Sequence, residues 1–486
     1  MFKKKWMSRF LSLGLAFSLL FCPAVRAAED AEVQTPESYT VIKALRNYIH
    51  RYYQFDVTDE ELLDALIKEI LLKDDSAESF KFVADALTSA LDKHSMYFTP
   101  AETEKFTEDV SAEFAGVGIS LVNIDGYCTV MSILPNTAAV GSGLVPGDKI
   151  IAVNGENVVN TDVDLIVKKV RGAEGTAVTL TILSENGNTW DVTLTRSTVV
   201  TPSADYKLNS AKDTAYVVIS QFGADTAAQF DGILHEVKDL GIKKMIIDLR
   251  NNTGGFTDQA YKMATEFLKD GTVVYQESSR SSGLTHEYTS RNPAPDTEMQ
   301  LVILVNDYTA SASEIFTGAM KDNGRATVIG IKTFGKGTVQ TVTGMGNYGS
   351  IKLTIAEFMS PSGATINGVG ITPDIRVENT TRPVEDSDLL PLSLSVKYQI
   401  GDNNKEVCAI KQRLSYLGLY SGAVDSPVFD KDTDLAIRRF QQYSGLYPYG
   451  VADINTQLTL QTEVKNGELV MDNQLTRAYQ ELGTVE

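Results

Sequence analysis

The sequence predicts a multi-domain α/β protein, on three observations. At 486 residues the chain is too long for one ordinary domain. Its texture changes near residue 108, from helical periodicity to short β-runs with glycine turns. Over 201–380 strand-like and helix-like segments then alternate, the rhythm of an α/β domain with partly parallel strands. A hydrophobic content of 43% is ample for packed cores. The formal charge of -19 argues against nucleic acid as a partner, because phosphate binding needs clustered basic groups.

Residues 1–27 carry Lys3, Lys4, Lys5, Arg9 and Arg26, an apolar run from Phe10 to Phe21, and small residues ending at Ala27 or Ala28. This is the pattern of a secretory signal peptide, and the run is shorter than the ~20 residues of a spanning helix. An uncleaved anchor is the alternative. Phe21 is too bulky to precede a lipid-modified Cys22. After cleavage only Cys128 and Cys408 remain, too far apart in sequence to imply a disulfide framework or a metal cluster.

Residues 28–112 form the helical region, with "ELLDALIKEILL" and "FVADALTSALDKH" spaced at three and four. Residues 113–200 hold "YCTVMSIL", "KIIAVNGENVV" and "AVTLTIL", with Asn154-Gly155 as a hairpin turn. Residues 201–380 give strands at "TAYVVISQF", "KKMIIDLR" and "MQLVILV". Helices fall between and after them at "FDGILHEVKDL", "DQAYKMATEFL" and "SEIFTGAMKDNG". The polar "TTRPVEDSDLLP" opens a linker over 381–400. Short helices return over 401–465, where Val407, Ile410, Leu414 and Leu417 mark one apolar face and Leu435, Ile437 and Phe440 the next. The tail 466–486 forms a last helix, with self-association as one use for it.

Two stretches carry chemistry. In "FAGVGISL", the loop Gly116, Val117, Gly118 and Ile119 precedes a strand, so its N–H groups can face a carboxylate while the strand edge accepts an extended peptide. An ordinary turn is the plainer explanation of those residues alone. In "ASASEIFTG", Ser311 and Ser313 stand between an apolar strand and a helix. Ser311 and Glu314 match a capping box, yet a helix N-terminus also offers amides and a positive dipole end to an oxyanion. None of the four histidines lies in a motif that would supply a base. Lys336 sits between two glycines in "TFGKGTVQ", with Gln340 four residues on. A lysine serves as base only if burial lowers its pKa from about 10.4. "HEVKD" and "HEYTS" lack the second histidine of a zinc helix, so no metal and no cofactor is expected. No G-x-S-x-G or S-x-x-K motif occurs.

"NDYTASASEIFTGAMKDNGRATVIGIKTFGKGTVQ" resembles the signature of the C-terminal processing peptidases, tail-specific serine proteases with a Ser–Lys dyad. The resemblance runs over about 36–380 and implies an α/β, crotonase-like serine peptidase core. It implies Ser311 as nucleophile, Lys336 as general base, and Gln340 as the residue orienting the lysine. It further implies an oxyanion hole from the Ala312 amide with Gly254 or Gly255 of "MIIDLRNNTGGF", Gly255 preferred. "MSPSGATINGVGITPDIRV" matches the family's closing segment, with a structural role, and the helical "LDKHSMYFTPAETEKF" matches the stretch before the β-rich module. Thr253 stands where many relatives have proline, which bears on loop stiffness and not on catalysis. His94 and Asp322 read as structural.

Residues 113–200, with "SGLVPGDKIIAVNGENV" and a helix over 161–171, resemble a PDZ domain, of β-sandwich or partly open barrel form. That implies a C-terminal carboxylate bound at Gly116–Ile119. "LGLYSGAVDSPVFDKDT" and "FQQYSGL" resemble the three-helix peptidoglycan-binding domain of cell-wall enzymes. The expected function is thus a secreted endopeptidase acting outside the cytoplasm, at the wall of a Gram-positive bacterium. Its expected partners are proteins with accessible C-termini and peptidoglycan, and the resemblance admits a homodimer. A non-catalytic or latent scaffold is the alternative.

Overall fold

In the structure, a computed structural model, residues 58–486 are described except 125, 135, 185 and 421, together with 42, 43, 45–47 and 50. The expected signal segment, its cleavage site and Cys22 lie outside the described residues. Among those described, no helix is long and apolar enough to cross a membrane. The chain divides into two compact units, one of Thr107–Thr338 with Glu357–Glu486, the other running up to Phe106 and taking in Val339–Ala356.

The larger unit is built on a six-stranded sheet. Its strands run in the order Ala204–Leu208, Ala215–Ile219, Lys244–Asp248, Gln300–Val305, Thr327–Gly330 and Ile375–Arg376. The first pair is antiparallel and every later pair parallel. Parallel strands are covered on both faces, which is why "MIID" and "LVILV" are continuous apolar runs rather than alternating ones. Helices Thr226–Asp239, Thr257–Thr265 and Ala312–Asp322 supply crossovers and cover, and bury Phe230, Met263 and Phe316. These helices fall where the periodicity predicts them.

The β-rich module hangs from a two-stranded stem, Glu113–Gly116 against Ser197–Val200. Its sheet begins with Ile119–Ile124 at an edge, followed by Tyr127–Ile133, Lys149–Val153, Ala177–Leu183 and Thr189–Thr195. The Asn154-Gly155 turn is present, both residues at positive φ, between Lys149–Val153 and Glu156–Asn157. The helix expected over 161–171 forms as Val163–Val170 and turns Ile166 and Val170 into the module's core.

The last third holds one arrangement that the sequence did not announce. The polar stretch after the core starts as a strand, Thr380–Pro383, which pairs antiparallel with Glu468–Met471. Between them the helices Lys405–Tyr416, Lys431–Tyr443 and Ile454–Lys465 enclose a separate core around Ile410, Phe429, Ile437 and Leu460. The three-helix module is therefore an insertion whose two ends meet in a ribbon. Beyond it, helix Asn473–Glu481 packs Leu475, Ala478 and Tyr479 against Ile246, Val302, Leu304 and Ile329 of the six-stranded sheet. The apolar face of this helix is thereby spent within the chain and not left for self-association.

In the smaller unit, helices Asp59–Lys73 and Ala77–Thr88 precede a strand, Met96–Phe98. The sequence reading made the "LDKHSMYFTPAETEKF" stretch helical throughout. Instead "MYF" pairs with Ser350–Lys352, and helix begins again at Pro100. Three bulky residues alternating exposure suit a strand edge, and Tyr97 is fixed by donating to the Tyr348 carbonyl at 2.7 Å.

Candidate active site

Ligands of open α/β sheets bind beyond the carboxyl ends of the strands, and here two adjacent parallel strands end side by side. Lys244–Asp248 runs into the loop 249–256, and Gln300–Val305 into 306–311. Asn252, fully buried, ties the two loops. Its side chain donates to the Ile219 carbonyl and accepts from the Gly254 N–H, while its own carbonyl accepts from the Ala310 N–H and the Ser313 hydroxyl. Ser313 is thereby committed to the frame. Ser311, 7% exposed, holds φ 57° and ψ -118° at the cap of helix Ala312–Asp322. A non-glycine residue in that region is strained and marks a position the surroundings enforce.

Glycine at 254 is required by crowding. A Cβ there would lie 2.8 Å from Ser311 Cβ and 3.0 Å from the Ala312 nitrogen. The Gly254 N–H is consumed by Asn252 (2.9 Å). Among the described residues, neither the Gly255 nor the Ala312 N–H has an acceptor. Gly255 bridges Phe222 through its neighbours, since the Phe222 N–H donates to the Gly254 carbonyl and the Phe256 N–H to the Phe222 carbonyl. Two unsatisfied amides at the mouth of a helix are what an oxyanion needs.

Glu314 goes beyond its capping role. Its fully buried carboxylate accepts four hydrogen bonds: Ser311 N–H (2.9 Å), Lys336 N–H (2.8 Å), Gly335 N–H (2.7 Å) and the Thr333 hydroxyl (2.6 Å). One side chain thus joins the serine segment to the lysine segment. Burial pushes its carboxyl above the ordinary range, against the pull of those donors. The capping-box pattern pointed to Glu314, but only to its bond with Ser311. The links to Thr333, Gly335 and Lys336 cross 19 to 22 residues of sequence, and no local pattern signals them.

Lys336 is half-buried in a loop fixed by the closing segment. The Gly368 N–H donates to the Gly335 carbonyl, and the Ile371 N–H to the Thr333 hydroxyl (2.6 Å). This is the structural role expected of "MSPSGATINGVGITPDIRV". Gln340 belongs to the smaller unit, on strand Thr338–Gly344, where its Nε2 donates to Thr354 Oγ1 (3.3 Å), and Thr354 in turn donates to Asp92. Asp322 accepts from Ser360 and Ser362, and the His94 N–H donates to Asp92 (2.8 Å). Asp322 thus serves the frame.

In the β-rich module, the Gly116–Ile119 loop is held by its carbonyls. The Ala139 N–H donates to Val117 O (3.1 Å) and the Leu134 N–H to Gly118 O (2.9 Å). The Val117 and Gly118 amides have no acceptor among the described residues. They open beside the free edge of Ile119–Ile124.

An α/β core with a strained serine at a helix mouth, beside two amides that have no acceptor among the described residues, fits a serine peptidase. Comparison with known proteins agrees. Residues 213–377 match the model of peptidase family S41, 108–183 that of the PDZ domain, and 403–460 that of a putative peptidoglycan binding domain. A probable CtpA-like serine protease of Staphylococcus saprophyticus is 35% identical over 388 residues, covering 79% of this chain and 77% of that protein. One from Staphylococcus haemolyticus is 34% identical over 417 residues, covering 85% and 78%. Among solved structures, a photosystem II D1 C-terminal processing protease is similar with a TM-score of 0.40 and 24% identity, over 71% of this chain and 94% of that one. The chain belongs to peptidase family S41, as a C-terminal processing peptidase with a PDZ and a peptidoglycan-binding domain.

Proposed function

We propose that the protein is a secreted serine endopeptidase that recognises substrates by their C-termini through the PDZ domain and cuts with a Ser311–Lys336 dyad. The observation that carries this reading is the buried Glu314, which fastens both segments at once beside two unsatisfied amides. Lys336, as the free amine, takes the Ser311 proton while Oγ attacks the peptide carbonyl. The developing oxyanion lies against the Gly255 and Ala312 amides. The lysine ammonium then protonates the leaving amine, and water hydrolyses the acyl-enzyme. Gln340 orients the lysine in this reading. The Val117 and Gly118 amides receive the substrate's terminal carboxylate, and the strand edge pairs with its last residues.

The domain limits belong to the same reading: a signal segment over 1–27, helices over 28–112, the PDZ domain over 113–200, the peptidase core over 201–380, the linker 381–400, the wall-binding domain 401–465 and the tail 466–486. So do a location outside the cytoplasm at the cell wall, retention on peptidoglycan, and a homodimer, which the exposed Leu63, Leu66 and Leu72 support. The test is cleavage of a loosely folded protein with an apolar C-terminus. Ser311→Ala and Lys336→Ala should each lower kcat by at least about a thousandfold. Retained cleavage in either variant sinks the dyad.

A latent resting form, silent until a partner or substrate assembles the dyad, is the second reading. It expects a parent enzyme that is silent alone and active once a free C-terminal peptide is added. An amidated peptide should fail to activate it.

A further inference from the structure

We infer that Asp472, on the chain segment that returns after the wall-binding domain, is a positioning residue of the protease site, acting through Arg250 at the root of the candidate oxyanion loop. The inference rests on the protease reading above. None of the three family matches extends past residue 460, so nothing so far gives this segment a task.

Arg250 is the second residue of the loop 249–256 that holds Gly255, and its side chain is only 12% exposed. Its guanidinium grips two carboxylates. Nε and Nη2 donate to Asp248 (2.9, 3.0 and 2.6 Å), and Nη1 and Nη2 to Asp472 (2.6 and 2.9 Å), with a further bond from Nη1 to Gln474 Oε1 (3.2 Å). Both contributions from 472–474 are fixed from behind. Asp472 caps the last helix by accepting from the Leu475 N–H, and Gln474 donates to the Val377 carbonyl. Asp248 is pinned in turn by the Tyr216 hydroxyl (2.6 Å). A two-sided bidentate grip fixes the plane of a guanidinium, and a nearly buried arginine that loses one carboxylate must move or take up water. The residues that follow it, Asn251 at positive φ and the anchored Asn252, lead straight to the Gly255 amide.

The loss would fall on transition-state stabilisation, so kcat drops while KM stays. In the full chain, Asp472→Asn should lower kcat about tenfold at unchanged KM and raise amide hydrogen exchange over 250–255. Asp472→Glu, which keeps the charge, should recover most of both. Parental kcat with parental exchange in Asp472→Asn overturns the inference, as does a kcat loss that Asp472→Glu leaves unrepaired. If Asp472→Asn does not fold, Arg250→Lys carries the same test: it keeps the charge, loses the fork, and must lower kcat and loosen 250–255. Exchange reads the loop even in a latent enzyme. Ser311→Ala in parallel separates the failures. An active Ser311→Ala sinks the protease reading, whereas a silent one beside an unaltered Asp472→Asn sinks only the present inference.

Discussion

At the scale of single residues, the site depends on groups that do no chemistry. Replacing Glu314 by Gln puts an NH2 where two donors now find an oxygen. Each orphaned buried donor costs about 1–3 kcal/mol, so Glu314→Gln should lower stability by roughly 2–6 kcal/mol, read from a denaturant midpoint. It should also cut kcat at least about a hundredfold, because the Ser311 and Lys336 segments lose their common anchor. A variant within twofold of the parent in kcat would remove Glu314 from the site. Gly337 offers a cleaner steric test. A Cβ there would stand 2.3 Å from the Asn367 nitrogen, backbone against backbone, so neither side can give way cheaply. Gly337→Ala should therefore displace the neighbouring Lys336 and reduce kcat more than tenfold, with KM little changed. A parental kcat would show that the lysine tolerates the shift.

At the scale of elements, what the sequence revealed follows physical range. Periodicity located the helices of the core, and the Asn154-Gly155 turn fixed its hairpin, because both are local patterns. The Ser311 and Lys336 stretches stand out only by their family resemblance, since the local pattern alone does not separate Ser311 from Ser313. The short strand Met96–Phe98 was not legible, since its partner lies at 350–352. Nor was the pairing of Thr380–Pro383 with Glu468–Met471, whose partners are separated by a whole folded module. Helix Asn473–Glu481 could be seen in the pattern, but its destination could not. Its first turn carries an electrostatic consequence. Burial alone would raise the Asp472 carboxyl, yet the Arg250 hydrogen bonds and the Leu475 amide outweigh it and leave its pKa lowered. A carboxyl lowered by folding contributes stability that is present above its ordinary value near 3.8 and is lost as pH falls through the lowered one. Protection from hydrogen exchange over 472–482, taken relative to the intrinsic rate at each pH, should thus fall below about pH 3.8 in the parent. In Asp472→Asn protection should already be lower at neutral pH and flat across that window. An equal acid response in both chains would place the titrating group elsewhere.

At the scale of the whole molecule, three recognition tasks share one chain, and the fold keeps two of them on removable modules. The PDZ domain hangs on its stem, and the three-helix domain is inserted at the end of a ribbon where Pro383 faces Glu468. Paired antiparallel residues lie about 5 Å apart, so a two-residue Asn-Gly turn can replace 384–467 without moving either strand. The last helix stays in place, with Asp472 still on Arg250. The cut removes the ion pair between Arg382 and Asp388 and the contact of Arg439 with Met131, both peripheral to the site. Domain insertions at adjacent ends are tolerated in both directions. The excised chain should therefore fold, keep kcat within about threefold of the parent, and lose retention on isolated peptidoglycan sacculi. A truncation at 383, by contrast, also removes the helix that covers Ile246, Val302, Leu304 and Ile329, and should leave an aggregating protein. Soluble, active protein from the first and none from the second would establish the tail as part of the peptidase. Equal behaviour of the two would return it to the wall-binding domain.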